Sequence, residues 1–427
     1  MNPLFRFVLF VFFVCLKTLP ALAIELDDRI QVSGFLSFGG GLTDAEAFPG
    51  GDNPNDQEDT ANPSEDTPKY SAGSGRFFLD DKLRFDQDTR AGLQLDFQLS
   101  EQTTASFQIV SKGLVDNYDP EFSWLYLSHS ISPDLDVRGG RFRLPIYLAS
   151  DYLDVGVALP WIRPPVELYS TINLNNITGF DFLYSKQIGK VILTLQPFVG
   201  ASEFKRGDFT SEFTQLFGFS SAINIDTLTL RAAYMEYEFA INPWPLNDAH
   251  AALINAIKAA GQSALLNDIN PNGSTTKFMT LGLNWRYDAW MLQSEWGRRN
   301  NGYVGGPDVD GFYATLSYQW NKWVPHLTYA FRKDQNTTKK FYNRLESLRV
   351  VSTALADASL ALHHLFAGIE NNESESFTLG LNYHFDASMV GKIELSSVKN
   401  QSSTGLFELA TKDDTNHILS FVIDVVF

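Results

Sequence analysis

Counted back from Phe427, every second residue of the stretch Asn416 to Phe427 is apolar: Val425, Ile423, Phe421 and Leu419. The positions between them include Asp424 and Ser420, so the segment reads as a strand with one oily face and one wetted face. The same period recurs along the chain. Ala91, Leu93, Leu95, Phe97 and Leu99 oppose Arg90, Gly92, Gln94, Asp96 and Gln98. Met279, Leu281, Leu283, Trp285 and Tyr287 oppose Thr280, Gly282, Asn284 and Arg286, and Phe377 to Phe385 repeats that design almost letter for letter. The pattern predicts sixteen strands, near 29–41, 87–99, 103–112, 121–131, 135–143, 178–186, 190–202, 214–223, 227–240, 278–287, 289–299, 310–320, 323–332, 376–386, 389–399 and 416–427. Tight turns such as Ser100-Glu101, Asn224-Ile225-Asp226, Asp288 and Asn321-Lys322 alternate with long loops. An even count puts both chain ends beside the tight turns and every long loop at the other rim.

No stretch beyond the first residues reaches the roughly 18 consecutive apolar residues of a spanning helix. Yet 14% of the residues are aromatic and 19% charged, while mean hydropathy is −0.13. A transmembrane β-barrel accounts for this, because lipid-facing and lumen-facing residues alternate and aromatic rings gather at the interfaces. A soluble all-β periplasmic protein is the competing reading. The fold class predicted is all-β, a transmembrane 16-stranded antiparallel barrel with short periplasmic turns and long extracellular loops. Residues 1–23 have the form of a secretory signal, with Arg6, the apolar run Phe7 to Leu16, Lys17 and a small-residue stop at Ala21-Leu22-Ala23; 24–427 would be one barrel domain. Cys15, the only cysteine, falls inside that signal, so no disulfide, thiolate or cysteine metal site is expected in the exported chain. Losing Arg6 and Lys17 makes the formal net charge of −17 more negative by two, a charge that repels nucleic acid.

Residues 44–75 are rich in Pro, Gly, Asn and acids, which reads either as a solvated loop or as a calcium site lacking the known loop-and-glutamate spacing. Loops 241–277 and 334–375 contain helix-period runs, Ala249 to Leu266 and Tyr342 to Ile369. His363-His364 in the second is a poor metal pair, because adjacent residues do not share a helix face. No cofactor is implied anywhere. The chain has serines and histidines, for example His326 and His384, but no motif joins a nucleophile to a base, so it is not read as an enzyme.

By alternation Arg90, Arg231, Arg286, Arg299, Arg332 and Lys392 face inward, with Asp96, Glu295 and Glu394. A charge at the lipid midplane would cost about 2–4 kcal/mol, so a wet interior is the economical place for them. Arg299 and Arg332 fall near strand ends and are expected only at the rim. Arg138 and Arg141, three apart, cannot both face inward unless Gly139-Gly140 forms a bulge; Arg141 is expected inside.

The opening strand V-S-G-F-L-S-F-G-G-G, the D-T-R-A-G-L-Q-L strand at Asp88 to Leu95, and Gly140-Arg141 before a long third loop at 144–176 together resemble the general porins of Gram-negative outer membranes. The strand pattern ending at Phe427 resembles the closing strand of such barrels. The resemblance implies a third loop folded into the barrel as a constriction, with wall arginines facing loop acids. Transferred to this sequence, Arg141 stands on the wall with Asp151, Asp154 and Glu167 on the loop; Arg143 and Arg163 complete the constriction set with Arg90, Arg231, Arg286 and Glu295. It also implies a homotrimer in outer-membrane lipid. W-I-R-P-P at Trp161 to Pro165 departs from the family and leaves the loop's path open. The expected function is a water-filled channel for passive diffusion of small hydrophilic solutes and ions. The alternative is a channel selective for one anion or organic acid, and an adhesive barrel with a plugged lumen is the remaining rival. Ion preference stays open, since the acidic mouth and the inner arginines pull in opposite directions.

Overall fold

In the computed structural model the described residues are 24–45, 81–85, 87–113, 118–172, 174–206, 209–245, 248–259, 270–303, 307–335, 373–400 and 413–427, with 261, 263, 266 and 267. The acidic loop 46–80, the run 336–372 with His363-His364, and the leader 1–23 lie outside them. A short strand β1 (Ile24–Asp27) folds back on β2 (Ile30–Thr43). The wall continues through β3 (Arg90–Ser100), β4 (Thr103–Lys112), β5 (Pro120–Ser132), β6 (Leu135–Arg143), β7 (Asn176–Ile188), β8 (Val191–Arg206) and β9 (Phe209–Ile225). It is completed by β10 (Leu228–Asn242), β11 (Ser274–Tyr287), β12 (Trp290–Asn300), β13 (Asp308–Tyr318), β14 (Trp323–Gln335), β15 (Ser374–His384), β16 (Met389–Asn400) and β17 (Thr415–Val426). Each strand from β2 to β17 pairs antiparallel with its sequence neighbours, and β17 returns to β2 from Ile418 opposite Thr43 to Val426 opposite Phe35. Sixteen strands therefore close into a barrel, as the alternation predicted.

The outward rows are the apolar ones. Leu93, Leu281, Leu379 and Leu395 are all exposed, while Thr280, Thr315, Thr328 and Ser420 between them are buried. At the short-turn end Gly189, Asp226, Asp288 and Asn321 adopt positive φ, a conformation that glycine and short polar side chains tolerate. Exposed rings collect there on one side of the barrel: Trp285, Tyr287, Trp290, Trp320 and Trp323. Sequence reading ends β8 too early and begins β9 too late. The pairing runs on, with Glu203 opposite Glu212 and Lys205 opposite Thr210, through a mostly polar stretch in which the alternation is weak.

No bulge interrupts Gly139-Gly140, whose pairing with β5 and β7 runs in continuous register. Instead three glycines lie side by side across the wall, Gly140 opposite Gly179 and Gly179 opposite Gly200. A Cβ on Gly140 would lie 2.7 Å from the Tyr126 Cα, and one on Gly179 would lie 2.6 Å from the Gly200 Cα. The row leaves room for the backbones of β5 to β8 to approach one another closely, one of the uses of a glycine inside a strand. Gly179→Val should accordingly lower stability by about 1–3 kcal/mol, the usual cost of overpacking. Urea unfolding in detergent micelles, followed by tryptophan emission, checks this; an unchanged midpoint contradicts it.

Candidate functional site

The chain between β6 and β7 does not lie over the rim. Leu144 donates its backbone N–H to Asn175 O at 2.9 Å, closing the neck of the loop. Beyond it are two short helical turns, Ser150–Tyr152 and Gly156–Ala158, and a third at Val166–Tyr169. Ser150 Oγ accepts the N–H groups of Ile146 and Tyr147 at 3.2 and 2.9 Å and fixes the first bend. From there most anchors are side chains of the inner wall.

Irregular backbone buried away from bulk water needs a partner for each N–H and C=O, and the wall supplies partners of matching polarity. Cations and hydroxyls meet carbonyls. Lys392 Nζ donates to the carbonyls of Gly156, Leu159 and Trp161 at 2.7, 2.9 and 2.9 Å, while Asp424 lies 3.1 Å away. Arg231 donates to Pro145 O at 2.9 Å, Arg299 to Thr171 O at 2.5 Å, and Asn382 to Pro160 O at 2.9 Å. Carboxylates meet N–H groups. Glu295 accepts from the Leu148 backbone at 2.9 Å and from the hydroxyls of Tyr169 and Tyr313, and Glu394 accepts from the Ile162 backbone at 2.8 Å. The indole of Trp161 is buried and donates to Thr315 and Thr328 at 2.8 and 3.2 Å. W-I-R-P-P, the segment that departs from the general porins, is thus the part that docks against β13 to β17.

The candidate residues fall into three groups. Arg231, Glu295, Arg163 and Glu167 hold the loop: Arg163 pairs with Asp88 and donates to Ser420 at 3.0 Å, and Glu167 accepts from Ser376. Burial pushes the Glu167 carboxyl up, against the lowering effect of the Ser376 bond. At the loop's root, Asp154 sits between Arg143 and Lys112, the latter at 2.6 Å, and only about 5% of it is exposed. Burial alone would raise its carboxyl, but the two cations hold it well below the usual range. The second group faces the remaining lumen. Arg90 donates to Ser37 at 3.2 Å, Asp151 is exposed on the loop within Coulombic reach of Arg138, and Arg286 is exposed near the short-turn end.

The third group is Arg141 alone, and it corrects the sequence reading. It is paired with Leu125 and Thr178, both exposed, and donates to Phe122 O at 2.8 Å, so it lies on the outer face. With the register continuous through Gly140, Arg138 is the inward arginine. Its guanidinium meets both oxygens of the buried Asp181 at 2.9 and 2.5 Å and lies 5.3 Å from the Tyr126 ring centre. Arg299 and Arg332, expected at the rim, are instead inside; Arg332 donates to Ser170 Oγ at 3.1 Å and pairs with Asp334. Sequence reading missed Lys112, Asp181, Asp88 and Asp424 as ion partners. Alternation could have flagged Lys112, Asp181 and, in the predicted strand 87–99, Asp88 as inward.

The expected hydration of the whole interior is corrected too. Toward the long-loop end, Leu144, Ile146, Tyr147 and Leu168 of the loop pack with Phe142, Phe198, Phe213, Leu216, Met235, Phe278 and Tyr313 of the wall into one apolar cluster. A bulge at Gln215, which has φ 49°, shifts the pairing so that both Phe213 and Leu216 are buried there. Toward the short-turn end the inward positions remain polar, among them Asp96, Ser128, Asp136, Thr194, Asn224 and Asn284. The long-loop end thus carries an apolar cluster, and the short-turn end is lined by polar side chains.

No family model and no curated protein sequence matches the chain. Solved structures do. It superposes on the outer-membrane channel DcaP of Acinetobacter baumannii with a TM-score of 0.55, at 10% identity over 96% of this chain and 100% of the other. Salmonella typhi OmpF, in a complex with daunomycin, gives 0.55 at 11% identity over 95% and 100%. Pseudomonas putida OprB gives 0.52 at 10% identity over 94% and 95%. At such identity the likeness is one of architecture: the chain has the fold of the Gram-negative outer-membrane porins.

Proposed function

We propose that this chain forms a channel in the outer membrane of a Gram-negative bacterium through which small hydrophilic solutes and ions diffuse passively. The observation that carries the proposal is a closed barrel, apolar outside, whose inner face is polar toward the short turns and whose third loop is fastened inside it. The loop then acts as the constriction, and the permeant passes beside it. The homotrimer implied by the family resemblance belongs to this proposal. A second reading has its own support: Arg90 forms no ion pair among the described residues and lies directly across the strand pairing from Lys112, which suits an anionic solute.

Purified protein in a planar bilayer should give stepwise conductance; absence of steps overturns the channel. Saturation of the current by one organic acid, and not by sugars, would select the second reading.

Lys392→Met removes the donor shared by three loop carbonyls, so single-channel current should become larger and noisier as the loop loosens. Wild-type current would show that the latch is not needed. Asp154→Asn strands Arg143 and Lys112 without their anion. Breaking such a buried pair costs about 3–5 kcal/mol, and the reversal potential in a salt gradient should move toward anion preference.

The carboxyl of Asp154 is depressed, so its contribution is present above the ordinary aspartate range and is lost only as pH falls through the lowered value. Glu167 has the opposite sign: its raised carboxyl favours the loop on the acid side, and that contribution is lost as pH rises through the raised value. Acidification to about pH 4, near the unperturbed carboxylate range, should therefore leave the wild-type loop root fastened, with protease cleavage in 144–176 no faster than at neutral pH.

A further inference from the structure

On the outer face of β14 to β17, near the short turns, an open apolar groove of about 260 Å³ lies among Trp323, Tyr383, Gly391, Ile393, Phe421 and Ile423. Its cause is one missing side chain. Gly391 is paired with Tyr383 on one side and Ile423 on the other, all three in an outward row, and it leaves a gap between them. Elsewhere an aromatic ring fills such a gap: the Phe427 ring covers Gly34 and the Phe180 ring covers Gly139, each within 2.8 Å of where a Cβ would stand. At Gly391 the nearest ring atom, on Phe385, stands off at 3.2 Å. For scale, a dry apolar cavity of roughly 150 Å³ holds benzene, so this groove takes a longer piece of hydrocarbon.

The rim above the groove carries one charge of each sign. Lys322 is exposed and donates to Phe385 O at 2.8 Å. Asp386 accepts from the N–H and hydroxyl of Ser388 at 2.8 and 2.7 Å; these bonds, with Lys322 nearby, hold its carboxyl below the usual range. The two turns are joined by the His384 N–H, which donates to Lys322 O at 2.8 Å. The exposed indoles of Trp320 and Trp323 stand beside them, and such rings mark the level of lipid headgroups. That aromatic rim is the argument for lipid rather than a second copy of the chain on this part of the wall.

We propose that the groove seats an acyl chain of a zwitterionic glycerophospholipid, its phosphate at Lys322 and its ammonium facing Asp386. The inference rests on the membrane reading above but not on conduction, so a channel that conducts without binding lipid here would refute this inference alone.

The test is native mass spectrometry of the full chain in detergent micelles, titrated with dioleoylphosphatidylethanolamine or dioleoylphosphatidylglycerol. One phosphatidylethanolamine per chain should survive activation that strips phosphatidylglycerol. Gly391→Leu, which meets only the edge of a movable ring, should abolish that adduct. Lys322→Glu, at an exposed turn, should weaken it by about tenfold, the effect of one charge-assisted contact, and it keeps the test decisive if Gly391→Leu fails to fold. Equal retention of both lipids overturns the proposal, as does equal retention by wild type and both variants. A Gly391→Leu protein that keeps its lipid but changes its oligomeric state would give the groove to a second copy and also overturn it.

Discussion

The interior of this barrel is governed by the need of an irregular segment to satisfy its backbone away from bulk water. More than thirty residues separate β6 from β7, and three short helical turns occur among the described ones, so many of their peptide groups must find partners outside the loop. Non-helical backbone at membrane depth is tolerated only where protein or a wet cavity surrounds it. Here the wall provides the partners. Lys392 alone takes three carbonyls, while Glu295 and Glu394 take N–H groups. Charge sign on the wall follows the polarity of the peptide group opposite, which explains why ionised residues can sit nearly buried on a surface otherwise suited to water.

That division of labour splits the cylinder. Once the loop is fixed against β10 to β17, its apolar side chains share a core with Phe198, Phe213, Met235 and Phe278, and the long-loop half loses water on that side. The short-turn half keeps its polar lining. A barrel wide enough for sixteen strands is thereby reduced to a narrower path without changing strand number, and the narrowing depends on side-chain contacts that substitutions can loosen one at a time.

Strand count, closure and the outward apolar rows could be read from the sequence, because alternation is local and repeats sixteen times. The inward set was readable for the same reason wherever register was continuous. Arg141 is misplaced by the sequence because Gly139-Gly140 invites a bulge, whereas in the structure Gly140 lies in a row with Gly179 and Gly200, a relation between strands that no single strand reveals. Position along their strands points Arg299 and Arg332 to the rim; the loop that reaches them, through Thr171 and Ser170, comes from 128 and 162 residues away. The path of the loop itself depends on such distant pairs and was not legible.

The loop anchors also bear on the field that a permeant would meet. Arg231, Arg299 and Lys392 are committed to carbonyls, and Glu295, Glu394 and Asp424 lie among the same anchors. Where opposite charges lie close together, as Lys392 and Asp424 do at 3.1 Å, their fields largely cancel beyond the Debye length of about 8 Å at physiological salt. Arg138 is likewise matched by Asp181. The transverse field in the open part of the lumen is therefore left to the less committed groups, Arg90 and Arg286 on the wall and Asp151 on the loop. The overall charge of −17 is thus a poor guide to ion preference.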